Sequence, residues 1–470
     1  MNDKYEIRNY VKGYTENLLE SVKSKTDDYR TAFQHDRDRI IHSKEFRRLS
    51  GKTQIFVSGF GDNMRTRLTH TLEVSQIAKT IAKYFGFDED LTEAIALGHD
   101  VGHTPFGHAG ERALNYIMNG CFDCYGYNRD LDKDKRGFKH NLQSYRVLTE
   151  LERVSKKHKG LNLSEYALWG IQNHTGVSYK DCGYMNEDKC MYKGEERDCK
   201  GRFETGFYDN TLLDESKCWT FEASIVFAAD EIAQRHHDIE DGLFANIINS
   251  DSLVERAFKG FENTLSDKQR NKLLFLENED DKQIKRVTIS RILIDMYIKE
   301  YIRNMEEILR DLISNNIMND RVKIYEFVKG KNSSNESISN YFYFSDKFKE
   351  EDKSFRVFLK DEIVDSEIAQ GMDGKATFIV RRLFKAYLNN PQQLPNKTII
   401  TAMRRYKEIN PDVEIEGNQE NNQARMLLRD KMRAKDKEYI CVLLRTVCDH
   451  VAGMTDQYAI SQYKKLYVVE

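Results

Sequence analysis

Hydrophobic residues recur every three or four positions along most of this 470-residue chain, which is the spacing of an amphipathic α-helix. From residue 70 to residue 85, one such stripe begins with His70 and continues with valine, isoleucine, alanine and phenylalanine. Residues 88–100 repeat the pattern, and His99 lies on the apolar face near its end. The pattern therefore predicts two neighbouring helices, each with a histidine among its buried positions.

The same spacing predicts further helices at residues 142–154, 166–174, 221–244, 282–314, 354–394 and 422–467. Two stretches lack it. Residues 178–217 are polar and carry three cysteines, Cys182, Cys190 and Cys199, so we interpret them as an insertion or lid. Residues 329–340 are rich in Ser, Asn and Lys, which is typical of a solvated loop. We place a domain boundary near residue 320, which divides the chain into a core at 1–320 and a C-terminal helical region at 321–470.

The composition agrees with a helical fold. The chain has only 4 prolines, far below the average of about 5%, which argues against many short β-strands joined by turns. We therefore predict an all-α fold. Lysine and arginine total 73 and aspartate and glutamate 76, so the overall charge provides no general attraction for nucleic acids or membranes.

No apolar run approaches the roughly 18 residues of a membrane span, and the first residues, MNDKY, lack the apolar core of a signal peptide. We expect a soluble, cytoplasmic protein. The eight cysteines do not form a disulfide scaffold and should be thiols in a reducing compartment. Cys121 and Cys124 form a lone C-x-x-C pair, for which idle thiols are a better interpretation than a zinc or redox site.

Histidine is scarce, with 12 in all, yet three fall within residues 99–108. His70 and His99 lie on apolar faces, and so does Asp230 in a third predicted helix, although an unpaired polar group is costly to bury. Each of them alone is best explained as a hydrogen-bonded core residue. Together with Asp100, they lie on the inward faces of three helices, where one metal ion would satisfy them all. Two imidazoles and two carboxylates suit Mn, Mg, Fe or Co better than a structural zinc.

The order His70, then His99-Asp100, then Asp230 resembles the signature of the HD-domain metal-dependent phosphohydrolases. Longer segments resemble one group of these enzymes, the dNTP triphosphohydrolase (dGTPase-like) family. These segments are RTRLTHTLEV at 65–74, AIALGHDVGHTPFGHAGE at 94–111, KHNLQS at 139–144, RDRIIHS at 37–43 with FRRL at 46–49, and DHVAGMTDQYA at 449–459. The resemblance spans nearly the whole chain and implies an HD-type helical core.

This resemblance implies a role for each candidate residue. It implies His70, His99, Asp100 and Asp230 as metal ligands, His108 as the proton-transferring residue with Glu111 orienting it, and Arg67, His103, His140 and Asp238 as substrate-binding residues, Asp238 at the sugar 3′-hydroxyl. The spacing supports one pair independently, because His108 and Glu111 are three apart and are neighbours on a helix. We expect Pro105 to end the helix at His99-Asp100 and to let the next helix begin.

The implied reaction is the metal-dependent hydrolysis of a deoxynucleoside 5′-triphosphate at the α-phosphorus, which gives a deoxynucleoside and inorganic tripolyphosphate. The resemblance also implies a homo-oligomer, often a hexamer, with activation by a dNTP or by single-stranded DNA. The basic residues Lys44, Arg47, Arg48 and Lys52 form either a solvated face or part of an oligomer interface or effector site.

The chain departs from the family in one segment. Some members have Lys and Tyr where this chain has Glu231 and Gln234, so Arg235 or a residue from elsewhere would have to supply the missing phosphate contact. Two other functions stay open: an HD nucleotidase or phosphodiesterase acting on other nucleotides, and a nucleotide-sensing regulator on a degenerate scaffold. His174 is as consistent with a structural helix end as with a site residue.

Overall fold

The computed structural model of the protein describes residues 2–22, 29–54, 65–129, 131–153, 158–177, 203–277, 279, 281–331, 337–410, 421–434 and 436–468. Within these ranges the chain forms helices and no β-strand, so the predicted all-α fold is confirmed. None of the described helices combines the length and the apolar character that crossing a membrane requires.

Four helices of the N-terminal part build the core that carries the candidate site. The helices of this part are α1 (Asn2–Ser21), α2 (Ala32–Ile41), α3 (Lys44–Arg48), α4 (Arg67–Phe85), α5 (Glu89–Gly98), α6 (Gly107–Met118), α7 (His140–Arg146), α8 (Glu165–Asn173), α9 (Glu215–Cys218) and α10 (Phe221–Phe244). Helices α4, α5, α8 and α10 pack against one another. Side-chain caps fix where they begin: Thr66 accepts the N–H of Thr69 at the start of α4, and Thr220 accepts the N–H of Ala223 at the start of α10.

Two of the C-terminal helices, α16 (Glu367–Asn389) and α19 (Lys437–Ala452), pack against the helix that carries His108. The other C-terminal helices are α11 (Ser250–Gly260), α12 (Asp267–Glu277), α13 (Lys282–Ser314), α14 (Arg321–Lys331), α15 (Asp346–Leu359), α17 (Asn396–Ile409), α18 (Asn421–Arg433) and α20 (Asp456–Tyr467). A buried apolar cluster joins α6 to α16 and α19, and a second cluster extends from Ile7 to Ile363. The division near residue 320 stays a prediction.

Several predicted segments differ from the structure. Residues 354–394 contain the end of α15 and all of α16, and residues 422–467 contain three helices. Instead of one helix over residues 142–154, α7 ends at Arg146 and a π-helical turn follows at Val147–Leu151. The helical run stops there because Glu152 is extended and its carboxylate accepts the N–H groups of Lys44 and Glu45 at the start of α3, at 2.9 and 3.1 Å.

The prediction of a solvated loop at 329–340 is wrong for those of its residues that the structure describes. Lys329 belongs to the end of α14, and Ile338–Asn340 form a 3₁₀ turn in which Ile338 is fully buried. Glu215 holds this segment against the core, because its carboxylate accepts the N–H of Ile338 at 2.9 Å and pairs with Lys329 at 2.9 Å. Residues 332–336 lie outside the described residues, as do 178–202 of the predicted insertion.

Helix α5, which precedes His99 and Asp100, ends in a tight turn before Pro105 is reached. Helix α5 ends at Gly98, so His99 lies just beyond it. The Ser144 hydroxyl stabilises the turn, since it donates to the carbonyl of His99 at 2.7 Å and accepts the N–H of Gly102 at 2.9 Å. A Cβ at position 102 would lie 2.1 Å from the backbone nitrogen of Ser144, so this close approach requires glycine.

Asp456, the first residue of α20, holds the start of α6. Phe106 lies just before α6 and Gly107 is its first residue, and their φ angles are 64° and 57°. Left-handed backbone is unfavourable at a bulky residue such as Phe106 unless neighbouring groups stabilise it. The buried Asp456 carboxylate accepts the N–H of Phe106 at 2.8 Å. It also accepts the N–H and the hydroxyl of Thr53 at 3.0 and 2.6 Å. One side chain therefore ties three distant segments together.

Replacing Asp456 with alanine should lower the free energy of unfolding by about 3 kcal/mol, because two buried backbone N–H groups lose their acceptor. Asp456→Asn keeps one acceptor oxygen and should lose less. Urea unfolding followed by circular dichroism measures both changes. An alanine variant with the wild-type unfolding midpoint would contradict this role.

Candidate metal centre and catalytic site

The four predicted metal ligands converge in the structure. His70 comes from α4, His99 and Asp100 from the turn after α5, and Asp230 from α10. Asp230 Oδ1 lies 3.0 Å from His70 Nε2 and 3.7 Å from His99 Nε2. Asp100 Oδ1 lies 3.5 Å from His99 Nε2, and its Oδ2 lies 3.9 Å from His70 Nε2. The ligand atoms of His70, His99 and Asp230 lie within 4.8 Å of one another, close enough to coordinate a single ion, and Asp100 forms an overlapping group of the same kind with His99 and His174.

The hydrogen bonds of His99 fit a cation at this point. His99 Nδ1 lies 2.7 Å from the carbonyl oxygen of Ala96, which only accepts, so Nδ1 carries the proton and Nε2 carries the lone pair. Nε2 is buried and has no hydrogen-bond partner in the described part of the chain, although it faces the carboxylates of Asp100 and Asp230. A lone pair that faces two carboxylates is repelled, and a divalent cation between them removes the repulsion.

Both carboxylates are held in the ionised form. Burial raises the pKa of Asp100, but the electrostatic interactions with His99, His103 and Arg67 outweigh it and hold this pKa well below its usual range. Burial likewise opposes the shift at Asp230, where the close contact with His70 and the neighbouring His99 lower the pKa. Ionised carboxylates are the form that binds a divalent metal.

Arg67 lies beside the metal candidates. It is fully buried, and its Nη1 donates to Asp100 Oδ2 at 2.5 Å. Its Nε and Nη2 are buried and have no partner among the described residues. The expected phosphate-binding guanidinium therefore already uses one nitrogen for Asp100, and two nitrogens remain for an anionic ligand.

A second cluster contains the predicted proton-transfer pair. His108 Nδ1 lies 3.2 Å from Glu111 Oε2, and the same oxygen lies 3.0 Å from His140 Nδ1. Burial raises the pKa of Glu111, but the charge of His140 and the hydrogen bond from His108 outweigh it and hold the pKa well below its usual range. An ionised Glu111 therefore accepts from both rings, and this leaves Nε2 of His108 on the outer side of its ring.

His103 connects the two clusters. Its Nε2 lies 3.3 Å from Asp100 Oδ1, and its ring stacks on that of His140 with centroids 3.9 Å apart. Burial, followed by the charge of Arg67, lowers the pKa of His103 well below its usual value, so the ring is neutral. Metal candidates, phosphate-binding candidates and the His108–Glu111 pair thus form one continuous group.

Comparison with known proteins assigns the chain to a family. The HD domain family matches residues 67–235, and the phosphohydrolase-associated domain family matches residues 342–410 and 419–465. A deoxyguanosinetriphosphate triphosphohydrolase-like protein of Geobacter metallireducens is 34% identical over 446 residues, which cover 94% of this chain and 89% of the relative. Proteins with the same description from Rickettsia bellii and Clostridium tetani are 33% and 30% identical, cover 93% and 95% of this chain, and are matched over 92% and 88% of their own lengths.

The chain belongs to the deoxyguanosinetriphosphate triphosphohydrolase-like family. This confirms the resemblance seen in the sequence. Membership of an HD-domain family supports a phosphohydrolase that binds a divalent metal, and the His/Asp cluster of the structure agrees with it. The HD-domain match includes every predicted site residue except Asp238.

Asp238 lies two helical turns after Asp230 on α10, roughly 12 Å further along the helix axis. No hydrogen bond joins it to the other site residues in the described ranges. Burial raises the pKa of Asp238 to about 7, and Arg235 opposes this shift. Arg235 itself pairs with Glu231 at 2.8 Å and lies 3.9 Å from Asp352. The charge of Arg235, which we considered as a replacement for the missing lysine, is therefore already matched.

The structure brings to the site one residue whose role the sequence left open, His174, and two that the sequence did not single out, His237 and Glu73. His174, at the end of α8, directs its Nε2 to within 3.3 Å of His140 Nε2. His237 contacts His70 on the side opposite the metal candidates, and Glu73 contacts His237. A weak signal for the last two existed, because Glu73 follows His70 by three residues and His237 follows Asp230 by seven, which are helical spacings.

The remaining sequence features have simpler explanations. Cys121 and Cys124 form no disulfide, and burial raises the pKa of Cys124 to about 12. Lys52 does not belong to an exposed basic face, because it is buried and donates to the carbonyl oxygens of His103 and Ala452. The three cysteines of the predicted insertion lie outside the described residues.

A cavity of about 850 Å³ lies on the other side of the turn after α5. Val101 and Gly102 of that turn line it, opposite α17 and α19. Its basic lining residues include Lys44, Arg48, Lys397, Arg404 and Arg405.

Proposed function

We propose that the protein hydrolyses deoxynucleoside 5′-triphosphates, dGTP or several dNTPs, to a deoxynucleoside and inorganic tripolyphosphate. The observation that carries this proposal is the contact between Asp100 and His103, 3.3 Å apart, which joins the metal candidates to the His108–Glu111 pair. A triphosphate bound across that contact would lie between a cation, the two available nitrogens of Arg67 and three histidines. The net charge of −3 makes such local attraction necessary.

A divalent metal fits the residues present. His70, His99, Asp100 and Asp230 would hold it, and when bound it supplies a Lewis acid for the phosphoryl oxygen and activates water. Nitrogen and carboxylate ligands in equal number suit Mn, Mg, Fe or Co. The lone pair of His99 Nε2, which faces two carboxylates, supports this assignment.

His108 would donate a proton to the departing 5′-oxygen of the deoxynucleoside. Glu111 accepts from Nδ1 and stabilises the protonated ring, so Nε2 is the atom that delivers the proton. A water oxygen would bond to the α-phosphorus as the O5′–P bond breaks. The electron pair of the broken bond would go to O5′, which takes the proton of His108 and leaves as an alcohol, and the proton released by the water would pass to solvent, from which His108 regains its own. His103, His140 and Arg67 would bind the phosphate oxygens, whose charge increases in the transition state.

Product analysis tests the function. The four dNTPs are incubated with Mg²⁺ or Mn²⁺, and the products are separated by anion-exchange chromatography. Tripolyphosphate together with a deoxynucleoside supports the proposal. Orthophosphate from a monophosphate, or ring opening of a cyclic nucleotide, would instead favour the nucleotidase or phosphodiesterase reading, and nucleotide binding without turnover would favour the regulator.

Asp238 would hydrogen-bond the sugar 3′-hydroxyl. At a pH well above its pKa of about 7, where Asp238 is ionised, replacing it with asparagine should reduce the preference for a dNTP over the matching 2′,3′-dideoxynucleoside triphosphate by roughly tenfold, because a charged hydrogen bond becomes a neutral one. The ratio of the two kcat/KM values measures this effect. Equal ratios in variant and wild type would remove Asp238 from the sugar site.

The proposal includes a homo-oligomer, with a hexamer as the first candidate, and an effector that is a dNTP or single-stranded DNA. Seven basic and five acidic side chains line the 850 Å³ cavity next to Gly102 of the site turn, and this small excess of positive charge favours a polyanionic effector there. Light scattering gives the oligomer size, and the dNTP assay with and without a second nucleotide or an oligonucleotide tests activation. The cytoplasmic location stays a prediction.

A further inference from the structure

His70 contacts a second histidine on the side away from the metal candidates. Its Nδ1 lies 3.1 Å from Nδ1 of His237, which projects from α10. Nε2 of His237 lies 2.7 Å from Oε2 of Glu73, one turn along α4 from His70. A chain of two short contacts therefore runs from Nδ1 of His70, through His237, to the carboxylate of Glu73.

Only one arrangement of protons in this chain lets His70 bind a metal. The ring binds through Nε2, the atom that faces Asp230, so its own proton must be on Nδ1. That proton is donated to Nδ1 of His237, which then accepts. The remaining proton of His237 is on Nε2 and is donated to the carboxylate of Glu73. If His237 instead carried a proton on Nδ1, His70 would have to accept it there, and its Nε2 would hold a proton in place of the lone pair.

Burial makes this arrangement specific. The His237 side chain is completely buried, so water does not compete for either of its nitrogens. Glu73 is 36% exposed and is also paired with Arg65 at 3.2 Å, which keeps it an acceptor. Burial raises the pKa of Glu73, but hydrogen bonds from His236 and His237 outweigh it and hold the pKa well below its usual range.

We propose that His237 and Glu73 are positioning residues for the metal centre, which fix the tautomer and orientation of His70 through a two-step hydrogen-bond relay. This inference rests on the proposed assignment of His70 as a metal ligand. Hydrogen-bond partners of this kind raise the basicity of a ligating imidazole and hold its ring, and losing one typically costs roughly 10- to 100-fold in metal affinity. In this relay both residues act through His70 and not by contact with the substrate.

A competing reading is that Glu73, His236 and His237 bind a second ion, since their ligand atoms also lie close together. Two observations oppose it. The guanidinium of Arg65 already pairs with Glu73 and Glu240 in this cluster. A metal on Nε2 of His237 would also move the proton of that ring to Nδ1, which would deprive His70 of its metal-binding lone pair. The two sites are therefore mutually exclusive.

The test compares two neighbouring histidines. His237→Phe removes the relay, whereas His236→Phe is a matched control, because His236 contacts Glu73 and Glu240 but not His70. Metal-free full-length protein is titrated with Mn²⁺ in a calorimeter, without nucleotide. We expect one ion per chain, an affinity lowered roughly 10- to 100-fold in His237→Phe, and an affinity within about twofold of wild type in His236→Phe.

A milder variant keeps the test valid if His237→Phe does not fold. Glu73→Gln preserves an acceptor oxygen but loses the charge, and we expect a several-fold weaker affinity for Mn²⁺. As a second readout, two-bond ¹H–¹⁵N spectra of protein labelled at histidine should assign an Nδ1–H tautomer to His70 and an Nε2–H tautomer to His237 in the presence of the diamagnetic Mg²⁺.

The outcomes separate this inference from the function on which it rests. If His70→Ala keeps the wild-type affinity, the metal assignment is wrong and the relay is wrong with it. If His70→Ala loses binding but the folded relay variants, His237→Phe or Glu73→Gln, bind like wild type, the relay alone is wrong. Two ions per wild-type chain, one of them lost in His236→Phe, would establish the competing second site and overturn the relay.

Discussion

Replacing His108 with alanine should lower kcat for dNTP hydrolysis roughly 10²- to 10⁴-fold, the usual contribution of a positioned general acid. The fold should tolerate the change, because the His108 side chain is 51% exposed and its hydrogen bond is to Glu111 on the same helix. The affinity for the metal should also be unchanged, because His108 is not one of the four metal candidates. Steady-state kinetics, with metal content measured on the same samples, gives the result.

A matched control is available on the same helix. Arg112 is about as exposed and pairs with Asp373 rather than with the site, so Arg112→Ala should keep the wild-type kcat. A substrate with a different leaving group also tests whether His108 is the proton donor. With p-nitrophenyl triphosphate the loss caused by His108→Ala should shrink, because a weakly basic phenolate departs without a proton donor. Full turnover of dNTPs by His108→Ala with metal bound would show that another group is the acid.

Asp230→Asn should abolish metal-dependent turnover. The substitution keeps the shape of the side chain but removes the charge that faces both His70 and His99, at 3.0 and 3.7 Å. We expect a loss of affinity for Mn²⁺ of at least 100-fold and a loss of kcat/KM of at least 10³-fold, because the activation of water depends on the ion. Glu240→Gln on the same helix, which loses contacts to Arg65 and His236 alone, is the control.

Thermal unfolding gives an independent measure of the same variant. Metal at 100 times its dissociation constant stabilises a folded protein by about 2.7 kcal/mol, so the wild type should unfold at a higher temperature when Mn²⁺ is added. The Asp230→Asn protein should not respond at that concentration, and chelation with EDTA should return the wild type to the metal-free value. An undiminished response of the variant to Mn²⁺ would exclude Asp230 as a ligand.

The metal candidates could be predicted from the sequence because helical periodicity assigns a face to each side chain. His70 and Asp230 occupy apolar stripes of α4 and α10, two helices that pack together, so their convergence follows from burial. His108 and Glu111 are likewise neighbours within one helix turn. Contacts between residues of the same helix can therefore be predicted from the sequence.

Contacts between distant segments were not accessible in the same way. The bond from His140 to Glu111 spans 29 positions, and that from His237 to Glu73 spans 164. His237 lies on α10, and its partners on α4 became known only once α4 was placed beside that helix. The end of α5 at Gly98 was missed for a similar reason, because Ser144, which stabilises the turn, belongs to α7.

The bond between Asp456 and Phe106 has a consequence for the synthesis of the protein. The two residues are 350 positions apart in the chain. At the usual rate of translation, about 5–20 residues per second, Asp456 is made roughly 20–70 s after Phe106. During that interval the start of α6 lacks its support, although all the metal candidates precede Asp456 by more than two hundred positions. A growing chain should therefore gain activity abruptly and late, when α20 docks.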